Sequence, residues 1–86
     1  MHSWHSDDVW AAIETLKLMG FVVEEQDEDG LVLLFHPSRP GQATVVHNSP
    51  DFNRSFLITQ LIHAGFDTGR FMQLAGWWQE PEDQLR

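Results

Sequence analysis

Two phrases of one kind, Met19-Gly20-Phe21 and Ala64-Gly65-Phe66, close two helical stripes and leave room between them only for short extended segments. In the first stripe Val9, Ala12, Ile13, Leu16 and Met19 recur at intervals of three and four. That spacing puts them on one side of a helix of about three turns. Ser6, Asp7 and Asp8 precede it with acceptors for the unpaired amide hydrogens of a helix start, and their negative charge suits the helix dipole. In the second stripe Phe56, Leu57, Gln60, Leu61 and Ala64 repeat the pattern, with Asn53 or Ser55 available as the cap. Glycine after each stripe takes positive φ without a Cβ penalty, and the phenylalanine that follows can pack back on its helix.

The segments between the stripes read as three strands. Phe21 to Glu25 emerges directly from the first helix with β-branched and aromatic residues. Gln26-Asp27-Glu28-Asp29-Gly30 then has no apolar residue and ends in a strong turn dipeptide, so a hairpin leads into Leu31 to Phe35. The unbroken apolar run of that second strand predicts a central position. Pro37-Ser38-Arg39-Pro40-Gly41 reverses the chain, and Ala43 to His47 supplies the third strand. Near the C-terminus, Thr68 is placed to cap a short helix bearing Phe71, Met72, Leu74 and Ala75. The expected fold is α+β in the order αβββα. A three-stranded antiparallel sheet carries two helices on one face, with a short C-terminal helix added. Segregating the helices leaves the opposite sheet face open to a partner. Residues 1–79 form one domain in this reading, and 80–86 a frayed acidic tail.

Composition narrows the function classes. With 86 residues there is room for one modest core. No cysteine is present, which removes disulfides, thiolate metal sites and cysteine nucleophiles and fits a reducing, cytoplasmic setting. Apolar runs reach only five residues, against the ~20 of a membrane-spanning helix, and His2 and Asp7 stand where a leader would be basic then apolar. Thirteen carboxylates against five lysines and arginines give a net charge of −8. That charge disfavours direct nucleic-acid binding and anionic membranes, and favours solubility or a basic partner.

The arrangement resembles the HicA toxin family, small ribonucleases of toxin–antitoxin systems with a double-stranded-RNA-binding-domain-like αβββα fold. The resemblance runs from Val9 to Leu74. It rests on Leu16-Lys17-Leu18-Met19-Gly20-Phe21, on Phe35-His36-Pro37, on Thr44-Val45-Val46-His47, and on Leu57 to Phe66 followed by Phe71 and Leu74. It implies a catalytic histidine just after the first strand, in a Gly-Ser-His pattern preceded by basic residues. Matching backwards from His36-Pro37 puts that pattern on Asp29-Gly30-Leu31, so leucine stands in place of the histidine. Glu25, Gln26, Asp27 and Glu28 stand where basic residues are expected, and each carboxylate repels phosphate.

Other candidates are weighed by their chemistry. His36 and His47 fall near opposite ends of the second hairpin, and either imidazole suits general-base work in an RNA-cleaving alternative. His63 lies late in a helix, where a cationic imidazole favours the dipole. His2 and His5 flank Trp4 without a convergent third ligand, so no metal and no cofactor is expected. The cluster Glu24, Glu25, Asp27, Glu28 and Asp29 lacks the spacing of a calcium loop and reads as a solvated bend or a docking patch for a basic surface. Trp77 and Trp78 suggest one ring closing over the first helix and its neighbour at an interface. The reading that follows is a non-catalytic interaction module binding a protein, or another copy of itself, through Glu25, Asp27, Glu28, Asp29, Trp77 or Trp78. The alternatives are a toxin-like endoribonuclease using His36 or His47, and an acidic inhibitor that mimics nucleic acid on a basic protein.

Overall fold

The computed structural model describes residues 4–39 and 41–77. Within them the order is α1 (Asp7–Leu18), β1 (Val22–Gln26), β2 (Leu31–Phe35), β3 (Ala43–His47), α2 (Arg54–His63) and α3 (Thr68–Ala75). This is the expected α+β arrangement, with the three strands in one antiparallel sheet and β2 in the centre. Trp78 and the tail 80–86 lie outside the described residues.

Each helix starts on a side-chain cap. Ser6 Oγ accepts from the amide of Val9, Asn53 Oδ1 from that of Phe56, and Asp67 Oδ1 from that of Arg70. Asn53 rather than Ser55 therefore caps α2, and Asp67 caps α3 in place of Thr68, which becomes its first residue. Aspartate reaches the third amide as well as threonine does and adds a charge favourable to the dipole.

The helix ends share one device, and it occurs three times. Phe21, Phe66 and Trp77 donate their amides to the carbonyls of Leu16, Leu61 and Met72, five residues back. The glycines before them hold φ of 101°, 83° and 81°. This is the Schellman closure, which satisfies the last carbonyls and turns an aromatic ring back onto the helix it follows. Ala75-Gly76-Trp77 is thus a third phrase of the kind that ends α1 and α2.

Cross-strand pairing sorts the sheet into two faces. Val23, Leu34 and Thr44 share one face with Val32 and Val46, and they meet the helices. Val9, Ala12, Ile13 and Leu16 from α1, Phe21 after it, Leu57 and Leu61 from α2, and Phe71 from α3 complete the buried core. Burying such a side chain contributes roughly 1.5 to 3 kcal/mol, so truncating Leu16 or Ile13 to alanine costs on the order of 2 to 5 kcal/mol. Phe56 does not join them: it is 65% exposed, because α2 runs along the β3 margin and buries Leu57 and Leu61, with Ile58 half-buried beside them.

Candidate functional site

The other face of the sheet carries no packed helix across its centre. Val22, Phe35 and Ala43 lie side by side there, followed by Glu25, Leu33 and Val45, then by Leu31 and His47. Leu33, Phe35 and Val45 are half-buried by their neighbours, whereas Val22 and Leu31 are 46% and 39% exposed. Strand alternation delivers this surface, since residues two apart share a face. An unbroken apolar strand such as Leu31–Phe35 must place every second side chain on the uncovered side.

Both margins of the sheet are blunted, by different means. At β3 the side-chain amide of Gln60 accepts from the Val45 amide at 3.0 Å and donates to the Val45 carbonyl at 2.9 Å. A glutamine on α2 thereby takes the pairing position that a fourth strand would occupy. At β1 the register slips between Val23 and Glu25, leaving a bulge with Glu24 and Glu25 exposed. Bulges and edge charges are common protections against strand addition. Strand addition is thus disfavoured at both edges, and the face between them is what the sheet leaves open.

One end of the open face is acidic. The hairpin loop is fixed by Asp27, whose Oδ1 accepts from the amides of Asp29 and Leu31, both at 2.9 Å, while its amide bonds the Leu31 carbonyl. Gly30 follows at φ +93°, and a Cβ there would stand 2.8 Å from the Asn48 carbonyl oxygen, so the loop is closed against β3's exit. Of the predicted partner-binding carboxylates, Glu25 lies on the open face beside Leu33. Asp27 is committed to the loop, and Glu28 and Asp29 face water. Beside this loop is a pocket of about 170 Å³, whose walls include Leu31, Val45, His47, Asp51, Phe52 and Phe56. A wider, shallower depression of about 690 Å³ lies between α1 and β1 along Trp10, Glu14 and Lys17. Its polar wall is already paired, Lys17 with Glu14 at 3.6 Å.

The two candidate histidines are kept apart. His47 pairs with Leu31, while His36 follows Phe35, whose partner is Ala43; the two pairs are four steps apart along the strand, roughly 14 Å of rise. His36 is held on both nitrogens. The Ser38 amide, which can only donate, lies 3.1 Å from Nδ1, so Nε2 carries the hydrogen and donates to the Met19 carbonyl at 3.1 Å. Ser38 Oγ also lies 2.7 Å from Nδ1. Phe21 and Phe66 flank the ring, with centroids at 5.3 and 5.5 Å, and the Arg39 guanidinium stands over Phe66 at 5.2 Å. Its lone pair is already occupied, and the ring serves packing between the ends of α1 and α2.

Trp77 closes the opposite side of the core. Its ring meets Phe71 edge-on at 5.4 Å and Phe52 at 6.2 Å, and the Arg54 guanidinium lies 4.6 Å above it. Arg54 also grips Asp8 through two hydrogen bonds, at 2.8 and 3.1 Å, which ties α2 to the start of α1. The bond to Arg54 holds the Asp8 carboxyl below the usual aspartate range and raises Arg54 in turn. Among the described residues no three histidine, aspartate or glutamate side chains converge to hold a metal ion, and no helix is long and apolar enough to cross a membrane.

Sequence reasoning did not find Val45, Asp51, Gln60 or Phe56 as site residues. Phe56 fell into the predicted buried stripe, and the capping role of Gln60 depends on which strand lies at the margin. Comparison with family models, with curated proteins and with solved structures gives no match.

Proposed function

We propose that this chain is a non-catalytic protein-interaction module, a HicA-like scaffold with a changed partner, which engages a protein through the open face of its sheet. The observation that carries this reading is the apolar row Val22, Leu31, Leu33, Phe35 and Val45, exposed at both ends on a chain of net charge −8. A contiguous apolar patch on a strongly charged protein marks a surface meant to be covered. Glu25 is the one carboxylate paired into that face, so charge is concentrated around the patch rather than on it. Leu31 supports the same reading. It stands where the resemblance places the family's histidine, and it offers a partner apolar surface in place of a base.

The test is affinity capture from the native extract with the wild-type chain and with a Val22→Glu, Leu31→Glu double variant, together with sedimentation of both. The expected result is a protein, or a second copy, retained by the wild type and lost by the folded variant. Identical capture by both chains, with both monomeric, would remove the reading. Cleavage of a mixed RNA pool that disappears in His36→Ala or His47→Ala would replace it with the enzyme alternative.

A further inference from the structure

The pocket at the acidic end of the open face is assembled from distant parts of the chain. Leu31 comes from β2, Val45 and His47 from β3, Phe56 from α2, and Asp51 and Phe52 from the loop between. Its volume, about 170 Å³, is close to the ~150 Å³ of an apolar cavity that takes up a benzene ring. One aromatic or branched aliphatic side chain fills it. Leu31 and Phe56 stand exposed at its mouth, 39% and 65%, so an inserted group would be gripped by side chains that now face water.

The rim of the pocket is negative. Asp51 lines it, and Asp27, Glu28 and Asp29 occupy the loop hydrogen-bonded to Leu31. Arg54, the nearest cation in sequence, is turned to Asp8 and Trp77. Lys17 sits in the last turn of α1, paired with Glu14, and Arg39 lies over Phe66 at the far end. An occupant therefore meets a largely apolar cavity with Asp51 in its wall and the exposed carboxylates of Glu28 and Asp29 on the loop that leads into Leu31, which is complementary to an apolar anchor with cations on either side.

We infer that this pocket is the anchor point for a segment of a protein partner that presents one apolar side chain flanked by lysines or arginines. The inference rests on the interaction-module reading and names the partner's chemistry. The apolar insertion supplies the buried contact, while the carboxylates supply attraction that salt weakens.

The test uses the full chain, labelled with nitrogen-15, and the blocked peptide acetyl-Lys-Arg-Lys-Leu-Lys-Arg-Lys-amide. Titration is expected to shift the amides of Leu31, Val45, His47 and Phe56. Replacing the peptide's leucine by alanine should weaken binding at least tenfold, and replacing its basic residues by glutamate should abolish it. Phe56→Ala, at a position exposed enough to keep the fold, should match the loss caused by the alanine peptide, and Asp51→Asn should lower affinity about threefold and flatten the salt dependence. Shifts confined to Asp27–Asp29 and indifferent to the leucine would overturn the inference and leave a purely electrostatic patch. Shifts at the pocket that grow with protein concentration and need no peptide would also overturn it, since the occupant is then a second copy. Either failure leaves the interaction-module reading standing, because that reading is decided separately by the Val22→Glu, Leu31→Glu capture.

Discussion

Where α1 and α2 finish, His36 donates to Met19 and accepts from Ser38, its ring lies between Phe21 and Phe66, and Arg39 covers Phe66. At the other end of the sheet, Asp27 closes its loop, yet Leu31 and Phe56 stay exposed around a pocket, and among the described residues Asp51, Glu28 and Asp29 form no ion pair. The first end has committed its aromatic and polar groups to one another. The second has committed the Asp27 carboxylate to its loop amides and leaves Leu31 and Phe56 exposed. A surface is open to binding where side chains are held in place without being covered, and the acidic end meets that condition. The histidine-bearing end, which looks more chemical in sequence, is packing.

Perturbing the two ends should therefore have opposite signatures. Of the perturbations that separate the two ends, the largest effect on stability is expected from Gly20→Ala. Its φ of +101° disfavours a Cβ, and the added atom would stand 2.8 Å from His36 Nε2. A loss of about 2 to 3 kcal/mol is expected, measurable by urea unfolding. Gly41→Ala, with nothing within 4 Å of its added Cβ, is the control and should be close to neutral. A cost for Gly20→Ala no larger than for that control would show that the committed end is not tightly packed.

Next in size is Gln60→Ala, which strips both side-chain bonds from Val45. We expect a loss of about 1 to 2 kcal/mol, with concentration-dependent association in sedimentation as the β3 edge opens. If the variant stays monomeric at high concentration, Gln60 contributes stability but does not guard the edge.

A smaller effect attaches to Asp8 and Arg54, whose pair is partly exposed on both sides. Solvent screening limits it to about 0.5 to 1 kcal/mol. Asp8 has its folded pKa depressed by the bond to Arg54, so the pair stabilises above the unfolded aspartate value of about 3.9 and fades as pH falls through the lower folded value. Asp8→Asn should thus be less stable than wild type at pH 7 and equal to it near pH 2. A gap that persists in acid would assign the effect to something other than this charge.

The smallest effect on stability is expected at the open end. Phe56→Ser removes a ring that is 65% exposed and should change unfolding by less than about 0.5 kcal/mol. It should nevertheless abolish capture of a partner, the reverse of Gly20→Ala. A strongly destabilised Phe56→Ser would make that ring part of the core and end the contrast between the two ends.

Much of this fold is local and was legible in the chain. The stripe of α1, the Asp29-Gly30 turn, the central β2 run and the glycines that stop α1 and α2 depend on neighbours within a few residues, where propensity and periodicity act. Ala75-Gly76-Trp77 carries the same local signal as the two earlier phrases. The site was much less legible. That Phe56 lies outside the stripe depends on α2 running along the β3 margin. Nothing near Gln60 in sequence announces that its amide will meet Val45, fifteen residues earlier.

By itself the sequence determined the order of elements, the punctuation between them and the acidity of the chain. Those follow from backbone preferences and charge, which each residue brings with it. Only the tertiary structure decided that His36 is enclosed by rings, that Arg54 joins Asp8 to Trp77, and that Leu31, His47, Asp51 and Phe56 surround one cavity. The reason is that contacts between distant segments are set by how helices and strands bury their apolar faces together, and the same local pattern permits several such packings.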